Sequence, residues 1–212
     1  MTVLPISADS HITEPPDCYR AHIEPRFRDR APHVVNDARY GDIYVVEGMK
    51  QTIPMSLVAA AGKDPSSLKM SGAKFEELHR GGWDPKYRLG DQDRDGVGAE
   101  IIYPTVGMVL CNHPDLDFKQ VCFEAYNRWL AEYVSHDPNR LIGVGQTALR
   151  TVKDGIADLE RIKAMGFRGV MMPGNPGESD YDDPIYDPFW EAAVALDLPL
   201  SFHILTLSLI HI

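Results

Sequence analysis

The sequence predicts an α/β fold with parallel strands, because short apolar segments alternate with amphipathic helical segments along its 212 residues. Helices between strands imply right-handed crossovers, with the helices covering the sheet. This alternation fits either a doubly wound sheet or a (β/α)8 barrel, and periodicity does not choose between them. Five strands are predicted, at about residues 3–9, 99–103, 141–146, 169–172 and 200–203.

A long polar segment follows the first strand. It extends from about residue 12 to residue 83 and is dense in proline and charged residues. Its one regular signal is the apolar run Ile43–Val46 between two glycines, which predicts a short strand. We interpret residues 12–83 as an insertion before the first helix of the alternating unit, within a single domain that includes residues 1–212.

The helices after this insertion have recognisable ends. Asp84 precedes Pro85, which is a good helix start because an Asp side chain accepts hydrogen bonds from free backbone N–H groups and proline suits the first turn. This helix should stop by Gly96 or Gly98. The three later helices are predicted at about residues 118–133, 152–166 and 188–196.

The charge of the chain excludes several classes of partner. It has 21 Lys and Arg against 31 Asp and Glu, a formal net charge of -10. Nucleic acids and anionic membrane surfaces are poor partners, because both attract clustered cations. The chain also lacks the run of about 18 apolar residues that a membrane-spanning helix needs. Three cysteines without a C-x-x-C spacing predict reduced thiols in a cytoplasmic protein.

Three residues at strand ends form a candidate metal site. Asp9 and His11 end the first strand, where side chains at positions i and i+2 share a face and can reach one ion. His203 ends the fifth strand, and in a parallel barrel such ends converge on one face. A carboxylate with two imidazoles suits zinc or manganese. Taken singly, the Asp-x-His pair also fits a solvated loop edge, and the lone His fits a satisfied core residue.

Two further residues are predicted near this face. Glu14 lies three positions after His11, within reach of a metal ligand, and His113 lies in the loop after the second strand, where it would contact substrate. By contrast, Asp91–Gly96 opens like an EF-hand calcium loop but has Ile102 at the twelfth position, where a bidentate Glu is needed. A charged helix terminus explains that segment better.

Several motifs occur in an order typical of one family. They are SADSHITEP (7–15), RFRDRAP (26–32), DPNRLIG (137–143), GFRGV (166–170), DPFWE (187–191) and PLSFH (199–203). From about residue 6 to residue 203 the chain resembles the amidohydrolase-related proteins of the aminocarboxymuconate-semialdehyde decarboxylase type. The resemblance implies a (β/α)8 barrel with one divalent metal ion. It also implies hydrolysis or non-oxidative decarboxylation of a small organic acid, often aromatic or unsaturated.

The resemblance assigns roles residue by residue. Asp9 and His11 match the family's first-strand metal pair, His203 matches its fifth-strand ligand, and Glu14 matches an acidic residue that follows the pair in many members. The family's sixth-strand His, eighth-strand Asp and acid/base residues would lie beyond residue 212. We therefore expect a C-terminally truncated barrel with about its first five strands, ending in a few unrelated residues.

The sequence leaves three functions open. The first is a metal-dependent carboxy-lyase or hydrolase acting on a small carboxylate. The second is a catalytically silent fragment that serves binding or assembly, because an open sheet exposes edges that favour homo-oligomers. The third is a doubly wound nucleotide-binding domain, which the absence of a glycine-rich fingerprint after the first strand disfavours.

Overall fold

The computed structural model describes residues 3–58, 62–69 and 71–203. Its strands are β1 (Ile6–His11), β2 (His33–Asp37), β3 (Gly41–Val45), β4 (Ile53–Pro54), β5 (Ala99–Tyr103), β6 (Leu141–Gly143), β7 (Gly145–Gln146), β8 (Val170–Met172) and β9 (Leu200–Phe202). Its α-helices are α1 (Cys18–His22), α2 (Pro85–Asp95), α3 (Val106–Leu110), α4 (Leu116–Val134), α5 (Val152–Ala164) and α6 (Asp187–Ala195). Residues 204–212, expected from the sequence to be an unrelated tail, lie outside the described residues.

Parallel strands form the main body, and the predicted α/β class is confirmed. β5 lies between β1 and β6, and β8 lies between β7 and β9, all in parallel. β6 and β7 continue each other, because Val144 N–H donates to Ile102 O at 3.3 Å and Gly145 N–H donates to Gly169 O at 3.0 Å. The predicted strand at 141–146 therefore pairs with β5 through its first half and with β8 through its second half.

Strand β1 begins and ends later than the sequence predicts. Its pairing starts with Ile6 opposite Ala99, the first residue of β5, and continues to His11 opposite Tyr103. Val3, which the prediction included, is 92% exposed. An apolar run alone does not fix where a strand begins and ends. Here the ends of β1 follow the extent of β5, the strand with which it pairs.

The polar segment after β1 contains a three-stranded antiparallel sheet of β2, β3 and β4. β3 contains most of the predicted strand. Its neighbours carry weak sequence signals, because β2 has only two adjacent β-branched residues and β4 has two residues in all. α1 packs against α4, and Arg128 of α4 donates to the His22 carbonyl at 2.9 Å. These contacts attach the segment to the main body.

The predicted helix ends are found in the structure. Asp84 Oδ1 accepts a hydrogen bond from Lys86 N–H at 3.1 Å, and Gly96 ends α2 with a φ of 70°. A Cβ would strain that left-handed conformation, which is why glycine occupies it. Gly166, with a φ of 84°, follows α5 in the same way. The acidic run Asp91–Gly96 is the last turn of α2 and its cap, as the sequence indicates.

The described residues contain neither a membrane-spanning helix nor a disulfide. Within those ranges, no helix has both the length and the apolar character needed to cross a membrane. Cys18, Cys111 and Cys122 are buried and not in disulfides, and their redox state stays a prediction. Burial raises the pKa of Cys111 to about 12, so this thiol stays protonated near neutral pH.

A buried ion pair joins α2 to the sheet. Arg88 Nε lies 2.6 Å from Glu100 Oε2, and the two side chains are 9% and 15% exposed. Gln92 and Ser10 also donate to this carboxylate, at 2.7 and 3.1 Å. Burial acts to raise the pKa of Glu100, but the hydrogen bond and charge of Arg88 hold it below its ordinary value. Arg88 Nη1 also donates to the His11 carbonyl at 2.8 Å, so the pair holds the end of β1.

We expect Arg88→Met to lower the free energy of unfolding by about 3 kcal/mol, because Glu100 would remain as a buried charge without its cation. Urea denaturation measures this loss. Arg94→Met is the matched control on the same helix, since Arg94 is 61% exposed and pairs with Asp91 and Asp95 at the surface. That change should cost less than about 1 kcal/mol. Equal losses in the two variants would contradict the prediction.

Candidate metal centre

Strand β1 presents two candidate ligands beside a bulge. Ala8 and Asp9 stand opposite a single residue of β5, so β1 contains one extra residue there. Regular alternation would put Ser7 on the face that Asp9 and His11 share. The bulge instead places Ser7 beside Ser10, with their Oγ atoms 2.7 Å apart. The two serines therefore face away from Asp9 and His11.

The structure brings the three sequence-predicted ligands together. His203 directly follows β9, and its Nε2 lies 3.0 Å from His11 Nε2. Asp9 Oδ1 lies 3.2 Å from each of these nitrogens. An ion about 2.1 Å from its ligands requires ligand atoms about 3.0–3.4 Å apart. The triangle of donor atoms therefore has the size that one divalent cation needs.

The position of the proton on the His11 ring also suits cation binding. His11 Nδ1 lies 2.8 Å from the Pro104 carbonyl oxygen, which can only accept, so Nδ1 carries the proton. Nε2 then directs a lone pair into the triangle. Burial has the largest influence on the pKa of His11 and lowers it, although the hydrogen bond to Pro104 acts to raise it. The lowered pKa favours the neutral ring. Two imidazole nitrogens and a carboxylate oxygen are donors that zinc and manganese accept.

The triangle is open to solvent on the Asp9 side. The side chains of Asp9, His11 and His203 are 65%, 31% and 12% exposed. The Tyr103 ring packs against both imidazoles, with its centre 6.0 Å from that of His11 and 5.4 Å from that of His203. A cleft of about 630 Å³ is lined by His11 but by neither Asp9 nor His203, and it extends along α2. Its lining includes His11, Thr13, His79, Arg88, Thr105 and Met108.

Glu14, predicted to contact a ligand or substrate, is fully buried. Its Oε1 accepts hydrogen bonds from three consecutive backbone N–H groups, Thr105 to Gly107, at 3.1, 2.9 and 3.2 Å. Burial raises the pKa of Glu14 to about 7, although these bonds act to lower it. Its contacts therefore run to the segment after β5, where the Pro104 carbonyl holds the His11 ring. A direct contact with substrate stays a prediction.

His113, the other predicted substrate contact, is also buried. Its Nε2 donates to the Glu47 carbonyl at 2.8 Å, and its Nδ1 accepts from Asp115 N–H at 3.1 Å. The ring thus joins the loop after β3 to the loop before α4. Its contact with substrate stays a prediction as well.

Sequence reasoning missed two groups that support β1 and its ligands. The first is the Pro104 carbonyl, and a backbone acceptor has no side-chain signal in a sequence. The second is the pair of Arg88 and Glu100. A signal for this pair exists, because Glu100 lies inside a predicted buried strand and a buried carboxylate requires a nearby cation.

A family comparison agrees with this geometry. The family model for amidohydrolases matches residues 9–211, which include all three candidate ligands. The chain belongs to this amidohydrolase family. The resemblance implied by the sequence motifs is therefore confirmed.

Relatives within the amidohydrolase superfamily include decarboxylases. The 2-amino-3-carboxymuconate-6-semialdehyde decarboxylase of Dictyostelium discoideum is 27% identical over 142 residues, which are 65% of this chain and 38% of that protein. An amidohydrolase from Mycobacterium avium subsp. paratuberculosis K-10 has a TM-score of 0.72 at 19% identity, over 96% of this chain and 59% of that one. The 5-carboxyvanillate decarboxylase of Novosphingobium aromaticivorans was solved with manganese and 4-hydroxy-3-methoxy-5-nitrobenzoic acid. It gives a TM-score of 0.58 at 21% identity, over 94% of this chain and 50% of that one.

These likenesses establish the amidohydrolase fold for the chain. The chain spans 38% of the curated relative and 50–59% of the two solved chains. By resemblance it is a member of an enzyme family, and a divalent metal accompanies at least one structurally similar decarboxylase.

We expect the wild-type chain to lose stability relative to a Glu14→Gln variant as pH rises. The Glu14 carboxyl, whose pKa is raised from 4.5 to about 7 in the folded state, binds its proton more tightly there than in the unfolded chain. This contribution is complete below the unfolded pKa and is lost as pH rises through the folded pKa. The difference amounts to the order of 3 kcal/mol. Urea unfolding of both proteins at pH values below and above this window measures it, and parallel pH profiles would contradict it.

Proposed function

We propose that this chain carries the divalent-metal site of a decarboxylase that acts on a small aromatic or unsaturated organic acid. Asp9, His11 and His203 are the proposed ligands. The observation that supports them is the separation of their donor atoms, 3.0–3.2 Å. The names of two relatives support decarboxylation, and manganese in one of them supports that metal, although the donor set suits zinc equally.

In a decarboxylation, the bond to the carboxylate carbon breaks, CO2 leaves, and the electron pair stays on the carbon that then takes up a proton. When bound, the ion would supply positive charge that orients the substrate carboxylate and stabilises a neighbouring oxygen. The chain's own residues fix the geometry. The Pro104 carbonyl holds the His11 ring, and Tyr103 packs against both imidazoles. Asp9 lies at the exposed side, where substrate would enter.

A cleft of about 630 Å³ has the volume of a small-molecule site, but of the three proposed ligands it is lined by His11 alone. Arg88 lines this cleft, but its guanidinium already binds Glu100 and the carbonyls of His11 and Gly81. Its charge is therefore compensated within the protein. A substrate carboxylate would be held at the proposed metal site and not by Arg88.

We also propose that the parallel strands are five consecutive strands of a (β/α)8 barrel in one domain, with residues 12–83 inserted after the first. Their pairing in chain order supports this assignment. In such a barrel the carboxyl ends of the first and fifth strands face each other across the interior. The approach of His203 to Asp9 and His11 agrees with that arrangement.

Metal content tests the proposed ligands. We expect the purified chain to retain close to one zinc or manganese ion, and His11→Ala and His203→Ala to retain far less, because each removes one corner of the triangle. Inductively coupled plasma mass spectrometry measures the metal. His33→Ala is the control, since the His33 ring binds the Ala31 carbonyl in the polar insertion. Unchanged metal content in both ligand variants would refute the site.

Turnover tests the reaction. Metal-dependent CO2 release from 5-carboxyvanillate or 2-amino-3-carboxymuconate-6-semialdehyde, lost in His11→Ala, would support the decarboxylase. Turnover of an amide, ester or lactone instead would replace the decarboxylase with a hydrolase. A soluble, metal-loaded chain without either activity would favour a catalytically silent binding or assembly module. Size-exclusion chromatography of the same preparation tests for a homo-oligomer.

A further inference from the structure

A single peptide group stands between Glu14 and His11. The carbonyl of Pro104 and the N–H of Thr105 are the two ends of one planar peptide. Its oxygen accepts from His11 Nδ1 at 2.8 Å, and its N–H donates to Glu14 Oε1 at 3.1 Å. A carboxylate, a peptide and an imidazole therefore form a continuous hydrogen-bonded row. The row ends at His11 Nε2, which faces Asp9 and His203.

Neighbouring hydrogen bonds hold this peptide in place. Glu14 Oε1 also accepts from Val106 and Gly107 N–H, at 2.9 and 3.2 Å. Thr105 Oγ1 donates to the Ile12 carbonyl at 2.6 Å, immediately after β1. Because Glu14 is fully buried, water does not screen its carboxylate from the peptide.

We propose that Glu14 is a positioning residue for the metal site: through the Pro104–Thr105 peptide it fixes the His11 ring and increases the electron density at His11 Nε2. This inference rests on the proposed metal site and extends it to a residue that touches none of the three ligands.

The physical basis is the mutual polarisation of hydrogen bonds in a row. An anionic acceptor at the N–H end of a peptide makes the carbonyl at the other end a stronger acceptor. The Nδ1–H of His11 then donates more strongly, and the opposite nitrogen becomes a better electron donor to a cation. Metal-binding histidines commonly gain basicity from a carboxylate or carbonyl at their second nitrogen. Here the carboxylate acts through an intervening peptide.

His33 provides an internal comparison within the chain. Its Nδ1 lies 2.8 Å from the Ala31 carbonyl, the same distance as that between His11 Nδ1 and the Pro104 carbonyl. The Ala31 carbonyl belongs to the peptide bond with Pro32, which has no N–H. No carboxylate can extend that row. His33 therefore makes the same kind of hydrogen bond without the proposed polarisation.

Zinc affinity of Glu14→Gln tests the proposal, because glutamine keeps an acceptor oxygen and removes the charge. Competition with a chelator at about pH 8 is suitable, since Glu14, with a pKa of about 7, is then largely ionised. We expect binding about tenfold weaker than in the wild-type chain. Asp115→Asn is the matched control, because Asp115 Oδ1 accepts from Phe118 N–H at 2.9 Å at the start of α4. That variant should keep the wild-type affinity, and thermal unfolding records any structural loss in both.

Proton NMR provides a second readout that needs no variant. We expect the Nδ1–H resonance of His11 downfield of that of His33, and closer to it in Glu14→Gln. Zinc affinity of Glu14→Gln within about twofold of wild type, or coincident His11 and His33 resonances, would overturn the inference. A wild-type chain that binds no metal would count against the proposed function instead. The NMR comparison in the metal-free chain would then still decide the role of Glu14.

Discussion

Two of the three candidate ligands lie on β1, and among the described residues only β5 pairs with that strand. The last paired residues are His11 and Tyr103, and just beyond them Ile12 N–H donates to the Tyr103 carbonyl at 3.1 Å. These one-sided contacts set the positions of Asp9 and His11. His203 follows β9 in the other parallel sheet. A shift in the β1–β5 register would therefore move Asp9 and His11 away from His203.

Two buried carboxylates lie beside this strand, and their environments shift their pKa values in opposite directions. Glu100 has the Arg88 guanidinium beside it, and its pKa is lowered. Glu14 accepts from the backbone N–H groups of Thr105 to Gly107 and, at 3.5 Å, from the Tyr19 hydroxyl, with no cation among these donors, and its pKa is raised. A full positive charge compensates for the lost hydration of a carboxylate, whereas peptide dipoles do so in part. The strand is therefore held by Glu100, which is ionised at neutral pH, and by Glu14, whose charge changes near pH 7.

Local chemistry explains what the sequence could predict. α2 begins at an Asp-Pro pair and ends at Gly96, and such preferences act within one helical turn. The candidate ligands were also predictable, because the end of a strand is a topological position that follows from the strand order. Strands β2 and β4 were not predictable, and neither was the contact between the Pro104 carbonyl and His11. These features depend on partners that are distant in the chain. A pattern search finds periodicity and residue type, but it does not find a backbone atom that tertiary pairing places beside a ring.

The bulge in β1 determines where this strand could differ in length among relatives. A protein that lacked Ala8 would form a regular ladder, with Ser7 still opposite Glu100 and Asp9 still on the face of His11. Loss of Ser10 would instead turn Asp9 to the opposite side of the strand. In an alignment of this family, a gap at Ala8 would preserve the site, whereas a gap at Ser10 would abolish it. The placement of a gap in β1 would therefore be more informative about activity than the overall similarity of the strand.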